Sequence, residues 1–185
     1  LNDRLGQAIA IAEREKKRVA VVVIDLDRFK TVNDSLGHAT GDEILLQVGN
    51  RLRGLVRQSD TVARLGGDEF AILLTALDQP AHALPVVRKI TESLTMPYVI
   101  GEHDFYITPS IGIALYPDNG SDAETLLKNA DAAMYHAKDV GRNNFQFFTT
   151  TLNQWAIDRL RIENGLRHAL TRDELVLHYQ PQVDL

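Results

Sequence analysis

The sequence predicts an α+β fold in which helices pack around a mostly antiparallel sheet. A fully apolar, β-branched run at residues 19–24 is typical of a central strand. A Gly-Gly pair at 66–67, flanked by alternating apolar residues, predicts a β-hairpin. Apolar residues at helical spacing connect these strands to later ones. Hairpins mixed with crossover helices are typical of α+β domains.

The predicted elements up to residue 75 place an acid at the end of a buried strand. The strand at 19–24 leads directly into Asp25. Residues 40–43, Thr-Gly-Asp-Glu, match a capping box and predict a helix that starts there and continues to about Leu55. The hairpin covers roughly 61–75, and its two glycines supply the positive φ of a tight primed turn.

The second half of the chain adds two helices and four further strands. A helix is predicted from about 81 to 94. Strands follow near 98–100, 103–108 and 110–115. Pro109 has no N–H to donate to a strand ladder, so the sequence predicts an edge position or a bulge there. A second capping box at 121–124 opens a helix that Gly141 ends, and residues 145–148 form a closing strand.

The predicted hairpin carries two adjacent acids, Asp68 and Glu69, directly after its turn. Adjacent carboxylates repel each other, and each resists desolvation unless a cation or a donor compensates it. Such a hairpin suggests a site for a metal or a phosphate-bound metal. The alternative is a solvated turn with its acids facing water, which is the commoner case for an isolated short motif.

The composition is that of a soluble globular domain. Of 185 residues, 44% are hydrophobic and 24% are charged, which supports a sizeable core. The net charge of -5 argues against a nucleic acid polymer as partner. The lack of cysteine excludes disulfides and fits a reducing cytoplasm. With no long apolar run and no signal peptide, the sequence favours a cytoplasmic location and leaves membrane tethering of a longer parent open.

Five motifs occur in an order that resembles the GGDEF domain of the diguanylate cyclase family. They are Ile-Asp-Leu-Asp-Arg-Phe-Lys at 24–30, Asn-Asp-Ser-Leu-Gly-His at 33–38 with Gly-Asp at 41–42, the hairpin at 64–70, Ser-Ile-Gly-Ile-Ala at 110–114, and Ala-Lys-Asp-Val-Gly-Arg-Asn at 137–143. The resemblance implies the nucleotide-cyclase and polymerase-palm arrangement of sheet and helices. The family's leading Asp-x-Leu-Thr-Gly-Leu-x-Asn motif would precede Leu1.

The resemblance also implies the domain organisation. Residues 1–149 are expected to form the GGDEF domain and residues 150–172 a connecting helix. Residues 173–185, with Tyr-Gln-Pro-Gln at 179–182, resemble the first strand of an EAL phosphodiesterase domain. The chain therefore reads as a segment of a GGDEF–EAL protein. No phosphodiesterase activity is expected from it, because the EAL signature would lie beyond Leu185.

The implied reaction condenses two GTP molecules into cyclic di-GMP with loss of pyrophosphate, assisted by Mg²⁺ or alternatively Mn²⁺. The resemblance assigns the metal to the carboxylates of Asp25 and Asp68 and to the carbonyl of Leu26. It makes Glu69 a further metal ligand or the group that helps deprotonate the 3′-hydroxyl. A carboxylate beside Mg²⁺ is a weak base, so coordination and orientation are favoured. Asp27 is a weaker candidate because faces alternate along a strand, and an exposed loop acid describes it equally well.

Binding of GTP would need cations, amide donors and guanine-reading groups. Lys138 and Arg142 stand four residues apart at a helix end, where the simpler explanation is that they complement the helix dipole. Asp42 would accept from guanine and reject adenine, although its place in the capping box offers a structural alternative. Side chains at the two glycines would crowd the nucleotide. The implied substrate-binding set is Phe29, Lys30, Asn33, Asp42, Gly66, Gly67, Lys138 and Arg142.

A separate Arg-x-x-Asp motif, Arg57 and Asp60, lies shortly before the hairpin. Taken alone it is more often a surface ion pair at a helix end, but in this family it is the inhibitory site for cyclic di-GMP. Arg88 is a weaker third member. Catalysis would require a homodimer in which two sites face each other. The alternative function is a catalytically silent GTP-sensing or cyclic di-GMP-binding module that controls an adjacent EAL domain, although the intact signature favours activity.

Overall fold

The computed structural model describes residues 1–152 and the single positions 162, 166, 169, 172 and 174. The helices are α1 (Asn2–Glu15), α2 (Phe29–Leu36), α3 (His38–Leu55), α4 (Ala83–Thr95) and α5 (Ala123–Asp139). The strands are β1 (Arg18–Leu26), β2 (Thr61–Gly66), β3 (Glu69–Leu77), β4 (Tyr98–Ile100), β5 (His103–Phe105), β6 (Pro109–Tyr116) and β7 (Asn144–Phe147). Most of the predicted connecting helix at 150–172 and EAL strand at 173–185 lies outside the described residues, and both stay predictions.

The main sheet has five strands in the order β2-β3-β1-β6-β7. All neighbours are antiparallel except β6 and β7, which run parallel. Strands β4 and β5 pair separately as a small hairpin. Helices cover both faces of the sheet, so the α+β prediction is confirmed, with β1 at the centre as its apolar sequence predicts.

The side chains of β1 alternate between two cores. Val22 and Ile24 pack on the side of α3 and α4, whereas Val21 and Val23 pack on the side of α1 and α5. This alternation has a period of two, so Asp25 continues the α1–α5 side. A charged residue therefore reaches the helix layer at the end of the central strand.

Two helix starts differ from the predicted capping boxes. Helix α3 already begins at His38 after Gly37, and the Thr40 hydroxyl donates to the Leu36 carbonyl at 3.1 Å. The box at 40–43 was therefore wrong, because these residues lie inside the helix. For α5 the cap is Asp122 rather than Ser121, since Asp122 Oδ1 accepts from the Thr125 N–H at 2.9 Å.

The end of α5 confirms the prediction for Gly141. The N–H of Arg142 donates to the carbonyl of Ala137 at 3.0 Å, and Gly141 has φ 124°. This is the hydrogen bond of a Schellman motif, which a glycine after the helix end favours. Helix α2 has no counterpart among the predicted elements, and β5 ends at Phe105 instead of continuing to 108.

The expectation for Pro109 was wrong. This residue opens β6, an inner strand between β1 and β7, and the β1–β6 pairing contains no register shift. A proline at the first position of a strand removes little from the ladder, so neither an edge nor a bulge is needed.

Gly112 allows α5 to approach β6 closely. A Cβ at Gly112 would lie 1.9 Å from the carbonyl oxygen of Ala130 and 2.1 Å from the nitrogen of Met134. Real contacts of this kind do not occur, so only glycine permits this packing of backbone on backbone. Within the described residues, no helix is long and apolar enough to cross a lipid bilayer.

Candidate active site

The strand register brings the acids of two motifs together. Asp25 on β1 lies opposite Glu69 on β3, and on its other side it lies opposite Ser110 on β6. Directly opposed side chains on one face of an antiparallel pair have Cβ atoms about 4.5–5.5 Å apart. The N–H of Leu26 donates to the carbonyl of Asp68 at 3.4 Å, which joins the hairpin tip to β1. Asp25, Asp68 and Glu69 therefore form one acidic group.

The hairpin tip is shifted by one residue from the glycine pair. Gly66 pairs with Glu69, so the two tip residues are Gly67 and Asp68, with φ 51° at Gly67. The guanidinium of Arg64 donates to the Gly67 carbonyl from Nε at 2.9 Å and from Nη2 at 2.7 Å. The space above both glycines is open. Arg64, which the sequence did not single out, thus fixes the segment that carries Asp68.

The surroundings of Asp25 shift the pKa of its carboxyl. Its side chain is buried, and its Oδ2 lies 2.7 Å from the Lys138 ammonium. Burial raises the pKa of Asp25; Lys138 opposes the rise, and the charges of Asp68 and Glu69 add to it. The site therefore holds more negative charge than the nearby protein groups balance.

The donor set fits a divalent cation. Carboxylates of Asp25, Asp68 and Glu69 and the carbonyl of Leu26 are the hard oxygen ligands that Mg²⁺ prefers. Within the described residues, no three acidic or histidine side chains are gathered closely enough to hold a metal alone. Mg²⁺ usually takes one or two protein carboxylates and completes its shell with phosphates and waters. The set therefore suits a cation that arrives with a nucleotide.

The two predicted phosphate cations occupy different places. Lys138, in the last turn of α5, pairs with Asp25. Arg142 lies past the helix end with φ 61°, and its Nε is 3.9 Å from Asp27 Oδ1. The guanidinium is about half exposed, and its Nη atoms have no hydrogen-bond partner in the described part of the chain. Arg142 is therefore available to an anion, whereas Lys138 neutralises a carboxylate.

Asp27 is not the exposed loop acid that one interpretation of the sequence described. It is buried, and it accepts from the Thr108 hydroxyl at 2.6 Å, the Ser110 hydroxyl at 2.7 Å and the Asn143 N–H at 3.1 Å. Because β1 ends at Leu26, strand alternation does not fix the direction of Asp27, and a role as metal ligand stays a prediction. Its carboxylate connects the start of β6 to the turn after α5.

The start of α2 offers backbone donors. Phe29 and Lys30 occupy the first two positions of this helix, where N–H groups have no carbonyl one turn earlier. Arg28 precedes them with φ 58°, and no side chain caps the helix. The ring of Phe29 is buried, so Phe29 can contribute only its amide, whereas the side chain of Lys30 is exposed. Such amides favour an anion.

Asn33 on α2 packs against Gly41, the residue before Asp42 on α3. A Cβ on Gly41 would lie 1.9 Å from Asn33 Oδ1, so Gly41 makes room for the asparagine beside Asp42. Asp42 is exposed in the second turn of α3, which removes the helix-start explanation for it. It borders a cavity of about 470 Å³. The cavity lining is Asp42, Leu45, Leu46, Gly49, Asn50, Arg53 and Arg64.

Glu69 also borders an open cleft of about 690 Å³ between α1 and α5. Lys128 and Asp131 on α5 share this cleft, and neither stood out in the sequence. The edge of the sheet that carries Asp25 and Glu69 is thus open toward α1 and α5 as well as toward the α2–α3 pair.

Comparison with known proteins decides the family. A family-wide sequence model described as "Diguanylate cyclase, GGDEF domain" matches residues 1–144. The chain belongs to the GGDEF family. This match confirms the resemblance read from the five motifs.

The chain is similar to parts of larger proteins. Over 99% of its length it is 51% identical to the bifunctional diguanylate cyclase/cyclic di-GMP phosphodiesterase MucR of Pseudomonas aeruginosa, of which it covers 27%. It is 45% identical, over 76% of its length, to the diguanylate cyclase TpbB of the same species and covers 33% of that protein. It is 44% identical, over 89%, to the cyclic di-GMP phosphodiesterase NbdA, also from P. aeruginosa, and covers 21% of it.

Solved structures support the fold. The GGDEF domain of TpbB (YfiN) from P. aeruginosa superposes with a TM-score of 0.81 at 40% identity and covers 84% of this chain and 91% of that one. An EAL/GGDEF domain protein from M. capsulatus gives 0.71 at 48% identity and covers 80% and 95%.

The Arg-x-x-Asp motif of this GGDEF domain has a structural component. Asp60 Oδ2 accepts from the Arg57 N–H at 3.0 Å, and its Oδ1 accepts from the Thr75 N–H at 3.0 Å. Asp60 therefore holds the turn that exposes Arg57. Both residues border a cavity of about 380 Å³ to which α4 contributes Lys89 and not Arg88. The structure thus brings Arg57 and Asp60 together and places Arg88 outside the lining of that cavity.

Proposed function

We propose that this GGDEF domain is a diguanylate cyclase that condenses two GTP into cyclic di-GMP with Mg²⁺, or alternatively Mn²⁺. The observation that carries the proposal is the register pairing of Asp25 with Glu69, with Asp68 on the adjoining tip. The 51% identity to MucR, named for cyclase and phosphodiesterase activities, supports the same reaction class.

In this proposal the residue groups divide the tasks of substrate binding and catalysis. Asn33 and Asp42 read guanine beside the cavity on α3, and the amides of Phe29 and Lys30 hold phosphate oxygens. Arg142 binds the triphosphate with its exposed guanidinium. Asp25, Leu26, Asp68 and Glu69 would hold the cation, which would supply the charge neutralisation that phosphoryl transfer chiefly requires. Glu69 orients the attacking 3′-hydroxyl, and the open space above Gly66 and Gly67 leaves room for the nucleotide.

Lys138 also has a role in substrate binding, which follows from its contact with Asp25. Its ammonium lies 2.7 Å from Asp25 and offsets the charge of that carboxylate. With a divalent cation bound at Asp25, Lys138 would be less strongly attracted to that carboxylate and could reach the triphosphate. Lys138 would then bind phosphate only in the loaded site.

The reaction requires two domains. One site holds one GTP, and each 3′-hydroxyl attacks the α-phosphate of the other GTP, so the reactive form is a homodimer with facing sites. Product binding at Arg57 and Asp60 would then inhibit it, with the exposed Arg57 stacking on guanine or pairing with phosphate. Arg88 stays a prediction for this site, because Lys89 is the α4 cation that borders the cavity.

A second candidate is a silent GTP-sensing or cyclic di-GMP-binding module that controls an adjacent EAL domain. The observation in its favour is the 44% identity to NbdA and 41% identity to PdeR, both named as phosphodiesterases.

The deciding experiment incubates the chain at high concentration with GTP and Mg²⁺ and measures cyclic di-GMP by chromatography. Glu69→Gln should abolish product, and Glu102→Gln, an exposed change in the β4–β5 turn, serves as the matched control. Folded protein that binds GTP and forms no product at any concentration would reject the cyclase and favour the silent module. Cyclic di-GMP binding that survives Arg57→Ala would reject the inhibitory site.

A further inference from the structure

Asp27 is a buried acid that the proposed reaction does not use. Its carboxylate is engaged on both oxygens: Oδ1 by the Ser110 hydroxyl at 2.7 Å, and Oδ2 by the Thr108 hydroxyl at 2.6 Å and the Asn143 N–H at 3.1 Å. Three donors around a buried carboxylate hold it in one position. Such a residue can serve as an anchor for the segments that supply the donors.

The segment it anchors has an unusual backbone. Arg142 and Asn143 are consecutive non-glycine residues with φ 61° and 49°. The left-handed region is unfavourable for residues with a Cβ, although asparagine tolerates it better than most. Such a conformation persists only where surrounding contacts determine it. The bond from the Asn143 N–H to Asp27 is one of these contacts.

Other contacts complete the turn. The Asn144 amide donates to the carbonyls of Ala137 at 2.8 Å and Arg142 at 2.9 Å, which ties the turn to the last residues of α5. None of these groups reaches the Arg142 side chain. Among the described residues, Asp27 is the one whose side chain reaches the Arg142 guanidinium, with its Oδ1 at 3.9 Å from Arg142 Nε.

We propose that Asp27 is the positioning residue for Arg142. It fixes the left-handed turn through Asn143 and orients the guanidinium through Nε, so that both Nη atoms stay available to the triphosphate. This inference rests on the proposed function only for the identity of the anion as the triphosphate of GTP. The placement of the turn by Asp27 is independent of it.

The test measures GTP binding by calorimetry instead of turnover. Asp27→Asn is the informative variant, because its carbonyl can still accept from Asn143 and Thr108 while the charge facing Arg142 is lost. GTP binding should weaken about tenfold, in line with the loss of one charge-assisted contact. In an Arg142→Ala background the same substitution should cause no further loss. Asp104→Asn on exposed β5 is the matched control and should bind as the wild type does.

Two measurements separate this role from the alternatives. If Asp27 were a metal ligand, Asp27→Asn would raise the Mg²⁺ concentration needed for half-maximal GTP binding; an unchanged Mg²⁺ requirement supports positioning. Hydrogen exchange of the Asn143 amide, measured without nucleotide, should be slow in the wild type and faster in Asp27→Ala.

The outcomes decide the inference separately from the proposed function. Additive losses in the double variant, a shifted Mg²⁺ requirement or an unprotected Asn143 amide in the wild type would each overturn it. A domain that binds GTP without making cyclic di-GMP would refute the proposed function and leave these binding comparisons valid.

Discussion

Substituting Gly112 by alanine tests whether α5 is placed by backbone contact with β6. The new Cβ would start 1.9 Å from the Ala130 oxygen, whereas ordinary contact begins at 3.4 Å. The helix would therefore have to move by about 1.5 Å, because a close-packed interior has no free volume to absorb the methyl group. The neighbouring atoms belong to the backbone of α5, so no side chain can rotate away.

The expected cost has two parts. Overpacking of a core commonly costs about 1–3 kcal/mol, and rigid backbone neighbours place this case at the upper end. The shift also reaches the active site, since α5 carries Lys138, whose ammonium lies 2.7 Å from Asp25. A displacement of about 1.5 Å would break a hydrogen-bonded ion pair of that length. We therefore expect lower stability and weaker GTP binding together.

The assay is urea unfolding followed by far-ultraviolet circular dichroism, with GTP affinity measured in parallel. Gly6→Ala in α1 is the matched control, because a Cβ there has nothing within 4 Å. That variant should be stabilised by about 0.5–1 kcal/mol through helix propensity. An unfolding midpoint for Gly112→Ala equal to or above that of the wild type would refute the reasoning.

Three further predictions concern a tyrosine, a helix cap and the hairpin brace. Burial raises the pKa of Tyr98 from 10.0 to about 12, so wild-type stability should fall as pH rises from about 10 toward 12. The expected loss is about 2–3 kcal/mol, and Tyr98→Phe should remove this slope in urea titrations. Hydrogen bonds from Thr125 lower the pKa of Asp122, so Asp122→Ala should reduce the melting temperature at neutral pH, with a difference that shrinks below about pH 3.8 as the wild-type carboxyl protonates. Arg64→Lys keeps the charge but loses the two-pronged bond to Gly67, so cyclic di-GMP formation should slow while the melting temperature stays constant.

Local patterns predicted much of the fold. The apolar run of β1, the hairpin and the glycine that ends α5 are encoded within short stretches, so the sequence indicated them directly. The start of α3 was misplaced because Gly37 begins the helix before the Thr-x-x-Glu pattern is reached. In a helix a one-residue difference changes direction by about 100°, which explains why Lys89 and not Arg88 borders the cavity near Arg57.

The arrangement of the candidate site depends on contacts between residues that are far apart in the sequence. The motifs identified Asp25, Asp68 and Glu69, but their convergence depends on the β1–β3 register, which no local pattern specifies. The role of Asp27 depends most strongly on contacts that are distant in the sequence. Its partners Thr108, Ser110 and Asn143 are 81, 83 and 116 residues away and are common polar residues with no motif linking them to an acid.

The continuous pairing of β1 has a consequence for where this chain can tolerate changes in length. From Ala20 to Asp25, every residue of β1 has a partner on both β3 and β6 without a shift. The register shift in the β1–β3 pair lies at the end of β1 away from Asp25, near Ala76, which has φ 52°. A residue deleted between Ala20 and Asp25 would turn Asp25 from α5 toward α3 and separate it from Glu69. Insertions near Ala76 should therefore leave the active site intact. Insertions between Ala20 and Asp25 should disrupt it.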